Sequence, residues 1–549
     1  MKNCTTLIST ACLLALWCGS MLGQPVGVLD PSFGKDGQIT IDLNTQKSQV
    51  QTLELQHNGC LLVAGSPQDS TEAGFSLVRL TPFGAVDNSF GEQGNVTFHF
   101  PGEVRDISLQ PNGSILLTGF IKQEKDRDYF VLRLLPNGQP DSSFGDQGWV
   151  IVNLGGTDEG WQVRVQKDGK IIVGGNTFAQ SWIQRDFGLI RLHPNGKLDH
   201  AFANGGIKRI DIGKYDHFRD MVIEEDGSVV AAGYSKPDKF HQFALFKIDP
   251  QGELDPSFDL DGVKFLHFGL DNDFCESLAL QPDGKILVAG HARMNRVQYG
   301  LDFVVARLFP SGNLDGSFGS RGYTTLDLGG AEYAKHLGVQ PDGNIILAGT
   351  SNYEITAVRL SDEGNLDYSF GKKGRQIIKN GANSSGRVSN LLVQPNGKIL
   401  ISGVCNEEAI LARFTGNPEL PGIQEVMNFD WEVNSKNEDR YAELDLGEGF
   451  HLEAWTGGEI HPRPYPTLAA RSGINAFGPS NTYIVRQAYL KMGERFKLSA
   501  LWDSQDLIHI YVNGKFVKTY SMQLSALDGS DPANDETKKP MPEPVKNGH

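Results

Sequence analysis

Residues 29–39 have the sequence LDPSFGKDGQI, and close copies return as VDNSFGEQGNV (86–96), PDSSFGDQGWV (140–150) and LDGSFGSRGYT (314–324). The phenylalanine of this motif recurs every 52 to 60 residues, at Phe33, Phe90, Phe144, Phe202, Phe258, Phe318 and Phe370. Repeats of this length predict an architecture in which one supersecondary unit stacks on copies of itself. Features that repeat in every unit mostly serve the fold, so the motif is interpreted as scaffold before it is considered as a site.

Each repeat contains four strand-like segments and a glycine turn. In the fifth repeat the segments are ESLALQ, KILVAG, DFVVARLF and YTTLDL, and the turn between the first two is QPDG. The segments are short, apolar or alternating, and rich in β-branched residues, which is typical of strands. Seven units of four strands predict an all-β fold, a seven-bladed β-propeller over residues 28–415, with a linear β-solenoid as the alternative.

A basic residue on the third segment keeps a fixed distance from the next motif. Six times it precedes the motif's aspartate by eight residues, at Arg79, Arg133, Arg191, Lys247, Arg307 and Arg359. Asp30 has no such partner before it, and Arg413 has none after it. A closed ring pairs these two residues and adds the N-terminal strand, residues 38–43, to the last blade beside residues 409–414, which leaves no open sheet edge. We therefore expect the charges to hold blades together rather than to form a catalytic site.

The three signatures together resemble the bacterial delta-60 repeat. The resemblance rests on the patterns LDxSFGxxG, LxxQPDGKILVAG and FxLxRLxPxG, and it covers about residues 28–415. The fourth unit departs from the patterns, with LDHAFANGG and EEDG. The resemblance implies a secreted or cell-envelope repeat protein and carries no agreed chemistry.

Composition and the N-terminal segment restrict the class of protein. The formal net charge of −16 disfavours a nucleic-acid binder and a polybasic membrane contact. Residues 1–23 are interpreted as a signal peptide, with Lys2 before an apolar run, so we expect an exported protein with no transmembrane segment in its mature chain. The mature chain keeps Cys60, Cys275 and Cys405, which are expected to be three separate thiols rather than a disulfide framework or a zinc site.

The segments that vary between repeats are expected to carry function. In a propeller the loops between the second and third strands and the crossovers between blades lie on one face, and here those segments are rich in aromatic, basic and histidine residues. We predict a ligand-binding rim on that face, formed from Trp161, Trp182, Tyr215, His217, Arg219, His241, His291, Arg293, Tyr333 and His336.

Motifs of catalysis and cofactor binding are not found in the sequence. There is no G-x-S-x-G, H-E-x-x-H or P-loop pattern, so we expect no catalytic residues and no cofactor. Asp271 and Asp273 are interpreted as solvated carboxylates, and DLDG at residues 259–262 as a turn rather than a calcium loop. No metal ligand is assigned.

A second module follows a linker at residues 416–425. Residues 426–524 contain FHLEAW (450–455) and LIHIYVNGKFV (507–517), which resemble a laminin-G-like, concanavalin-A-like jelly roll. The resemblance implies a small β-sandwich that binds glycans or proteins. We expect Trp455 and Trp502 in its core, and we expect the polar, proline-rich residues 525–549 to be disordered.

The sequence therefore favours a secreted or cell-envelope binding or adhesion protein, and it leaves alternatives open. The partner is expected to be a glycan or a surface protein rather than a nucleic acid. A polysaccharide hydrolase or lyase on the propeller rim is one alternative, and a purely structural surface repeat protein is another.

Overall fold

The computed structural model describes residues 26–43, 48–67, 74–178, 185–294, 300–379 and 385–416, together with the backbone of seven strands between residues 425 and 521. Residues 26–416 form seven sheets of four strands each, every one antiparallel. The predicted seven-bladed propeller is confirmed. The signal peptide, the side chains of Trp455 and Trp502, and the C-terminal tail lie outside the described residues.

The strands follow one another in chain order from the propeller axis outward. The N-terminal strand is β1 (Gln38–Thr40). Blade 1 contains β2 (Ser48–Leu55), β3 (Leu61–Pro67), β4 (Phe75–Leu80) and β5 (Asn95–Phe98). Blade 2 contains β6 (Gly102–Leu109), β7 (Ile115–Lys122), β8 (Arg127–Leu134) and β9 (Trp149–Val152). Blade 3 contains β10 (Thr157–Val165), β11 (Ile171–Phe178), β12 (Arg185–Leu192) and β13 (Ile207–Ile210).

The remaining blades repeat this order. Blade 4 contains β14 (Lys214–Ile223), β15 (Val229–Lys236), β16 (Gln242–Ile248) and β17 (Val263–Leu266). Blade 5 contains β18 (Asp273–Leu280), β19 (Ile286–Arg293), β20 (Leu301–Leu308) and β21 (Tyr323–Leu326). Blade 6 contains β22 (Glu332–Val339), β23 (Ile345–Ser351), β24 (Glu354–Leu360) and β25 (Arg375–Ile378). Blade 7 contains β26 (Gly386–Val393), β27 (Ile399–Cys405) and β28 (Glu408–Phe414), and β1 completes it.

The ring closes as the sequence predicts. Each blade's first strand contacts the first strand of the next blade, and β2 contacts β26. Strand β1 pairs antiparallel with β28, with Gln38 opposite Ala412 and Thr40 opposite Ile410. Arg413 Nε donates a hydrogen bond of 2.7 Å to Asp30 Oδ2, so the two residues left over in the sequence form the seventh ion pair. A linear solenoid is excluded.

The repeated motif forms a staple between neighbouring blades. In blade 2, Arg133 Nε donates to Asp141 Oδ2 at 2.9 Å, and Nη1 donates to the carbonyl oxygen of Pro194 in blade 3. The guanidinium of each stapling arginine lies over the motif's phenylalanine, 4.5 to 5.3 Å from the ring centroid. All seven of these phenylalanines are fully buried. In blade 4 the basic residue is Lys247, whose Nζ lies 3.6 Å from the motif carboxylate of Asp255 but 2.7 Å from Glu224. This staple therefore departs most from the geometry of the other six.

The hydrophobic core is divided among the spaces between blades. Apolar side chains from facing sheets interdigitate there, for example Phe243 and Leu245 of blade 4 with Val304 and Ala306 of blade 5. Cys60, Cys275 and Cys405 are buried at separate positions, and no disulfide joins them. Because every sheet is covered on both faces, its second and third strands are continuous apolar runs rather than alternating ones.

A ring of polar side chains joins the first strands around the axis. One residue per blade follows a β-bulge and bonds to the neighbouring blade. Asp220 Oδ2 accepts from Ser277 Oγ at 2.8 Å, and Ser277 Oγ accepts from the amide of Leu337 at 3.2 Å. Asn390 of blade 7 donates to Thr52 of blade 1 at 3.4 Å, which completes the circle. These bonds satisfy polar groups that the narrow centre of the ring removes from water.

The C-terminal strands form two further sheets. One contains β29 (Glu425–Glu432), β33 (Arg495–Trp502), β34 (Leu507–Val512) and β35 (Lys515–Ser521), and the other contains β30 (Tyr441–Gly447), β31 (Phe450–Thr456) and β32 (Ser472–Phe477). The jelly-roll sandwich stays a prediction, as do the exact domain bounds. In the described part of the chain, no helix has the length and hydropathy needed to cross a bilayer.

Candidate functional site

We call the face with the loops between second and third strands and the crossovers between blades the variable face. It carries a continuous group of aromatic and charged side chains where the first strands of blades 3 to 6 begin. We call this group the mouth arc and define it as Trp161, Arg185, Tyr215, His217, Arg219, Tyr234, His241, Phe274, Glu276, His291, Arg293, Tyr333 and Lys335. Most of its members lie on strands β10, β14, β15, β18, β19 and β22. The sheets position the arc, because first strands line the propeller axis and the arc residues on β14, β18 and β22 lie before or at the central bulges of those strands.

Glycines on the second strands place the bulges. A Cβ at Gly233 would overlap the carbonyl oxygen of His217, and a Cβ at Gly290 would overlap that of Phe274. Each glycine therefore lets the first strand approach closely enough to bulge at that point. The glycine that ends the repeated LVAG motif therefore permits the bulge, and the bulge sets the orientation of the neighbouring arc side chains.

Trp161 and Arg219 form one end of the arc. The guanidinium of Arg219 lies 4.8 Å from the Trp161 ring and 5.1 Å from the Tyr234 ring. Arg105 of blade 2 approaches the same tryptophan at 4.9 Å. The indole Nε1 of Trp161 is buried and has no hydrogen-bond partner among the described residues. The Trp161 ring therefore contacts two guanidinium groups, and its indole N–H has no hydrogen-bond acceptor among the described residues.

His217 lies at the centre of the arc. Its ring stacks on Tyr234 at 4.4 Å between centroids, and Arg185 Nη1 contacts its Nδ1 at 2.5 Å. Burial and then the charges of Arg185 and Arg219 lower the pKa of His217 from 6.5 to about 2. The imidazole is therefore neutral at physiological pH and accepts a hydrogen bond from the guanidinium.

The arc continues through four rings toward blade 6. Tyr234 meets His241 edge-on at 5.5 Å, and His241 lies 5.4 Å from Phe274. Phe274 lies 5.3 Å from His291, which in turn lies 5.3 Å from Tyr333. Tyr333 is 44% exposed, so this end of the chain of rings faces solvent.

Carboxylates balance most of the cations near the arc. Glu276 contacts Arg219 at 3.2 Å and Lys335 at 2.8 Å, and these cations hold its pKa below the usual value despite burial. Arg127 contacts Glu159, and Arg293 lies 3.2 Å from Asp271.

Arg185 differs from these cations. It has no carboxylate within salt-bridge distance among the residues that the structure describes, and its contacts are His217 and the ring of Phe178 at 4.3 Å. Burial lowers its pKa, Glu159 and Tyr234 partly oppose that effect, and the nearby charges of Arg219 and Arg127 lower it further. The arc therefore contains a half-buried positive charge whose compensation is incomplete.

The structure brings together eight of the ten residues predicted for the rim. Trp182 lies outside the described residues. His336 is placed instead in the polar ring at the axis, where its Nε2 bonds the carbonyl oxygen of Ser389 at 2.7 Å and burial lowers its pKa to about 4. Its contacts are those of a blade-to-blade link rather than of a surface ligand.

Sequence reasoning missed five arc members, Arg185, Tyr234, Phe274, Glu276 and Lys335. Each lies on a strand, as do most of the rim residues that the prediction selected, so position on a strand does not separate the two sets. The pairing of each first strand with a glycine of the repeated LVAG motif is a signal that locates Phe274, Glu276 and Lys335.

One carboxylate interpretation is wrong. Asp273 was expected to be solvated, but it is fully buried, accepts from the amide of Phe268 at 2.6 Å and contacts His267 Nδ1 at 2.9 Å. The aspartate folds back on the crossover that precedes its strand, which a sequence pattern does not reveal. Asp271 is half-exposed and pairs with Arg293, and residues 259–262 form a turn as predicted.

Two other features have the geometry of a site. A depression of about 400 Å³ lies between blades 3 and 4 on the face that carries the repeated turns, which we call the repeated face, and it is lined by turn residues such as Lys167, Glu225 and Pro250. These turns recur in the other blades, so this depression is attributed to the fold. Two groups of carboxylates at blade junctions on the variable face have ligand atoms close enough to hold a metal ion, Asp186, Asp211 and Asp216, and Asp302, Asp327 and Glu332.

Solved structures resemble this chain in fold alone. Polysaccharide lyase Uly1 aligns with a TM-score of 0.41 at 11% identity, covering 67% of this chain and 89% of the lyase. Sqt1 from Chaetomium thermophilum aligns at 0.36 and 11% identity, covering 68% and 98%, and Drosophila Plexin A in complex with Semaphorin 1b at 0.37 and 9%, covering 72% and 88%. Similarity at this level selects no function.

The sequence itself matches one family. No curated protein matches the chain. Five segments, residues 56–90, 110–144, 166–202, 281–318 and 340–370, match the family described as a domain of unknown function (DUF5122) beta-propeller. They begin at the glycine turn of a repeat and end at the motif phenylalanine, and the stretch from EEDG (224–227) to Phe258 is not among them. These five segments therefore match DUF5122 beta-propeller repeats.

Proposed function

We propose that the protein is an exported binding protein that recognises an acidic glycan through the mouth arc. The incompletely compensated charge of Arg185 is the observation that carries this proposal. A carboxylate or sulfate group of a ligand would supply the missing negative charge, and guanidinium groups bind such groups in bidentate geometry. The neighbouring guanidiniums of Arg127 and Arg219 favour the same sign of ligand charge.

The rings of the arc favour a sugar as the carrier of that acidic group. Tyr215 and Tyr333, which are 36% and 44% exposed, present amphipathic rings beside charged and neutral hydrogen-bonding groups. Aromatic rings pack against the apolar faces of pyranoses, while nearby polar groups bond the hydroxyls. The C-terminal region, residues 426–524, is proposed as a second recognition module, on its resemblance to laminin-G-like domains.

A lyase is the second candidate, because one group of side chains suits elimination from a uronate. Arg219 Nη2 lies 3.1 Å from Tyr234 Oη, His217 stacks on the same phenol, and Arg185 contacts His217. A guanidinium would neutralise the carboxylate while a base removes the adjacent proton. However, a histidine with a pKa of about 2 is a weak base, and burial raises the pKa of Tyr234. Catalysis at neutral pH favours groups that titrate near 7, so the geometry favours binding.

The test compares full-length protein and variants on an array of neutral, carboxylated and sulfated glycans. Arg185→Gln is expected to weaken acidic-glycan binding by about 10- to 100-fold, the value of one charge-assisted hydrogen bond. Arg321→Gln removes one positive charge from the repeated face and is expected to leave binding unchanged. Ultraviolet absorbance of an unsaturated uronate product tests the lyase in the same samples.

Three outcomes would reject the proposal. The first is equal binding of neutral and acidic glycans, and the second is equal affinity of wild-type protein and Arg185→Gln. The third is complete loss of binding when residues 426–524 alone are removed, because the arc would then contribute nothing. Formation of the unsaturated product would replace binding with catalysis.

A further inference from the structure

Three acidic side chains meet at each of two junctions between blades on the variable face, outside the mouth arc. One starts the third strand of a blade, one follows its fourth strand, and one lies on the first strand of the next blade. At the junction of blades 5 and 6 all three are carboxylates, Asp302, Asp327 and Glu332, and at the junction of blades 3 and 4 they are Asp186, Asp211 and Asp216. The two groups share one register in the repeat.

The group between blades 5 and 6 is mostly buried. Asp302 is 5% exposed and Glu332 is fully buried, while Asp327 opens to solvent. Ser351 Oγ donates to Glu332 Oε1 at 2.9 Å, and the amide of Gly329 donates to Asp327 Oδ1 at 2.8 Å. Asp302 Oδ1 and Glu332 Oε2 are buried and have no hydrogen-bond partner among the described residues.

Such an arrangement is costly without a cation. Two buried carboxylates with unpartnered oxygens lose their hydration and repel each other. Burial and the charge of Asp327 raise the pKa of Asp302, and burial is also the main cause that raises the pKa of Glu332. Arg375 reaches the carbonyl oxygen of Leu328 nearby at 3.3 Å, but it lies beyond salt-bridge distance of all three carboxylates in the described structure.

Other junctions fill the same positions differently. Between blades 2 and 3 the middle position is Asn153, and Arg209 lies near enough to lower the pKa of Asp158 against the effect of burial. Between blades 4 and 5 the middle position is His267, which contacts Asp273. These junctions have a neutral or basic group where the two acidic junctions have a third carboxylate, so repulsion is not a requirement of the fold.

We propose that Asp302, Asp327 and Glu332 bind one Ca²⁺ ion, and that Asp186, Asp211 and Asp216 bind a second. The three ligand atoms of each group lie within 4.8 Å of one another. Two oxygens bound to one Ca²⁺ at about 2.4 Å each are separated by at most about 4.8 Å, so a single ion fits. All donors are hard oxygens, which suit Ca²⁺ and do not suit Zn²⁺, and one exposed carboxylate leaves room for water ligands.

The second group shares the register and the burial, but it has one unpartnered oxygen rather than two, and the charge of Arg209 partly opposes the rise in the pKa of Asp186. Asp186 is 6% exposed and its Oδ1 has no hydrogen-bond partner among the described residues, and Asp216 is fully buried and accepts from Ser235 Oγ. Burial raises the pKa of Asp216 to about 6, and the charges of Asp211 and Asp186 act in the same direction. The same geometry at two sites in one repeat register argues against a chance cluster.

Calorimetric titration of Ca²⁺ into chelator-treated full-length protein tests the proposal. We expect two ions per chain with Kd values of about 10⁻⁴ M. Asp327→Asn and Asp211→Asn are each expected to remove one ion, and Asp146→Asn, a charge-matched change in an exposed loop of the repeated face, is expected to remove none. Mg²⁺ and Zn²⁺ are titrated in parallel.

Thermal unfolding separates ion binding from a purely structural role. Ca²⁺ is expected to raise the melting temperature of wild-type protein. Asp302→Asn relieves repulsion, so we expect it to melt higher than wild type in chelator and to respond less to Ca²⁺. Absence of Ca²⁺ binding at millimolar concentration, tighter binding of Mg²⁺ or Zn²⁺, or an unchanged stoichiometry in Asp327→Asn would each overturn the proposal.

Discussion

Replacing Arg413 with alanine removes the staple that joins the two ends of the propeller. Arg413 Nε donates to Asp30 at 2.7 Å, Nη1 to the carbonyl oxygen of Pro82 at 2.5 Å, and Nη2 to Ser32 Oγ at 2.9 Å. Its guanidinium also lies 4.7 Å from the Phe33 ring. The variant therefore removes one of the cations that contact the buried carboxylate of Asp30, at the junction of blades 7 and 1.

The expected loss follows from the electrostatics of Asp30. Burial alone would raise its pKa, but Arg413, then Lys398 and Ser32, hold it at about 2 against an ordinary value of 3.8. That difference corresponds to about 2.5 kcal/mol of stability at neutral pH. Lys398 stays 3.0 Å from Asp30 and retains part of it, while the lost packing on Phe33 adds to the cost. We expect about 3 kcal/mol, as for breaking a buried ion pair.

Urea unfolding followed by tryptophan fluorescence measures this free energy. The matched control is Arg307→Ala, which removes an internal staple of the same geometry between blades 5 and 6. The two variants are expected to lose similar amounts of unfolding free energy. A loss of under about 1 kcal/mol for Arg413→Ala beside about 3 kcal/mol for Arg307→Ala would refute the reasoning, because the ring would then not depend on its closure.

Three further outcomes are expected. Asp30 and Asp315 both have pKa values of about 2 in the folded protein, below the ordinary value of 3.8. The stability that they contribute is therefore complete above about pH 4 and is lost as the pH falls through 2. The urea midpoint measured as a function of pH tests this loss. Gly233→Ala is expected to cost at least about 2 kcal/mol and to weaken glycan binding by moving the bulge at His217, whereas Gly316→Ala, which meets no atom within 4 Å, leaves both unchanged. Because the pKa of His217 is about 2, affinity for an acidic glycan is expected to stay constant between about pH 5 and 8, and a tenfold change across that range would show that the histidine titrates.

The ring is predictable from sequence because its evidence repeats. Seven motif copies, a constant offset between Arg133 and Asp141 and its equivalents, and two orphan residues specify strand count, blade number and closure together. Blade number and ring closure can be predicted without the loop conformations. Each staple joins residues that are close in sequence, and its contact with the next blade recurs in all seven blades.

The site is less predictable because it depends on contacts between blades. Tyr234 and Glu276 lie within strands that look like ordinary blade segments. Strand pairing within blade 4 places Tyr234 opposite His217, whereas only the contact between blades 4 and 5 brings Glu276 to Arg219. The carboxylates Asp302 and Glu332 are 30 residues apart in sequence and converge only at a blade junction. The expectation of no metal ligand came from searching for local loop motifs, and such a search does not detect ligands supplied by two blades.

The position of a bound acidic oligosaccharide in a crystal structure of the complex tests the central claim most directly. The account predicts sugar rings within about 4 Å of Tyr333 or Trp161, with an acidic group of the ligand bonded to Arg185. A ligand bound against the repeated turns near Lys167 and Pro250, or only on the C-terminal strands, would contradict the claim that the binding site is the mouth arc on the variable face.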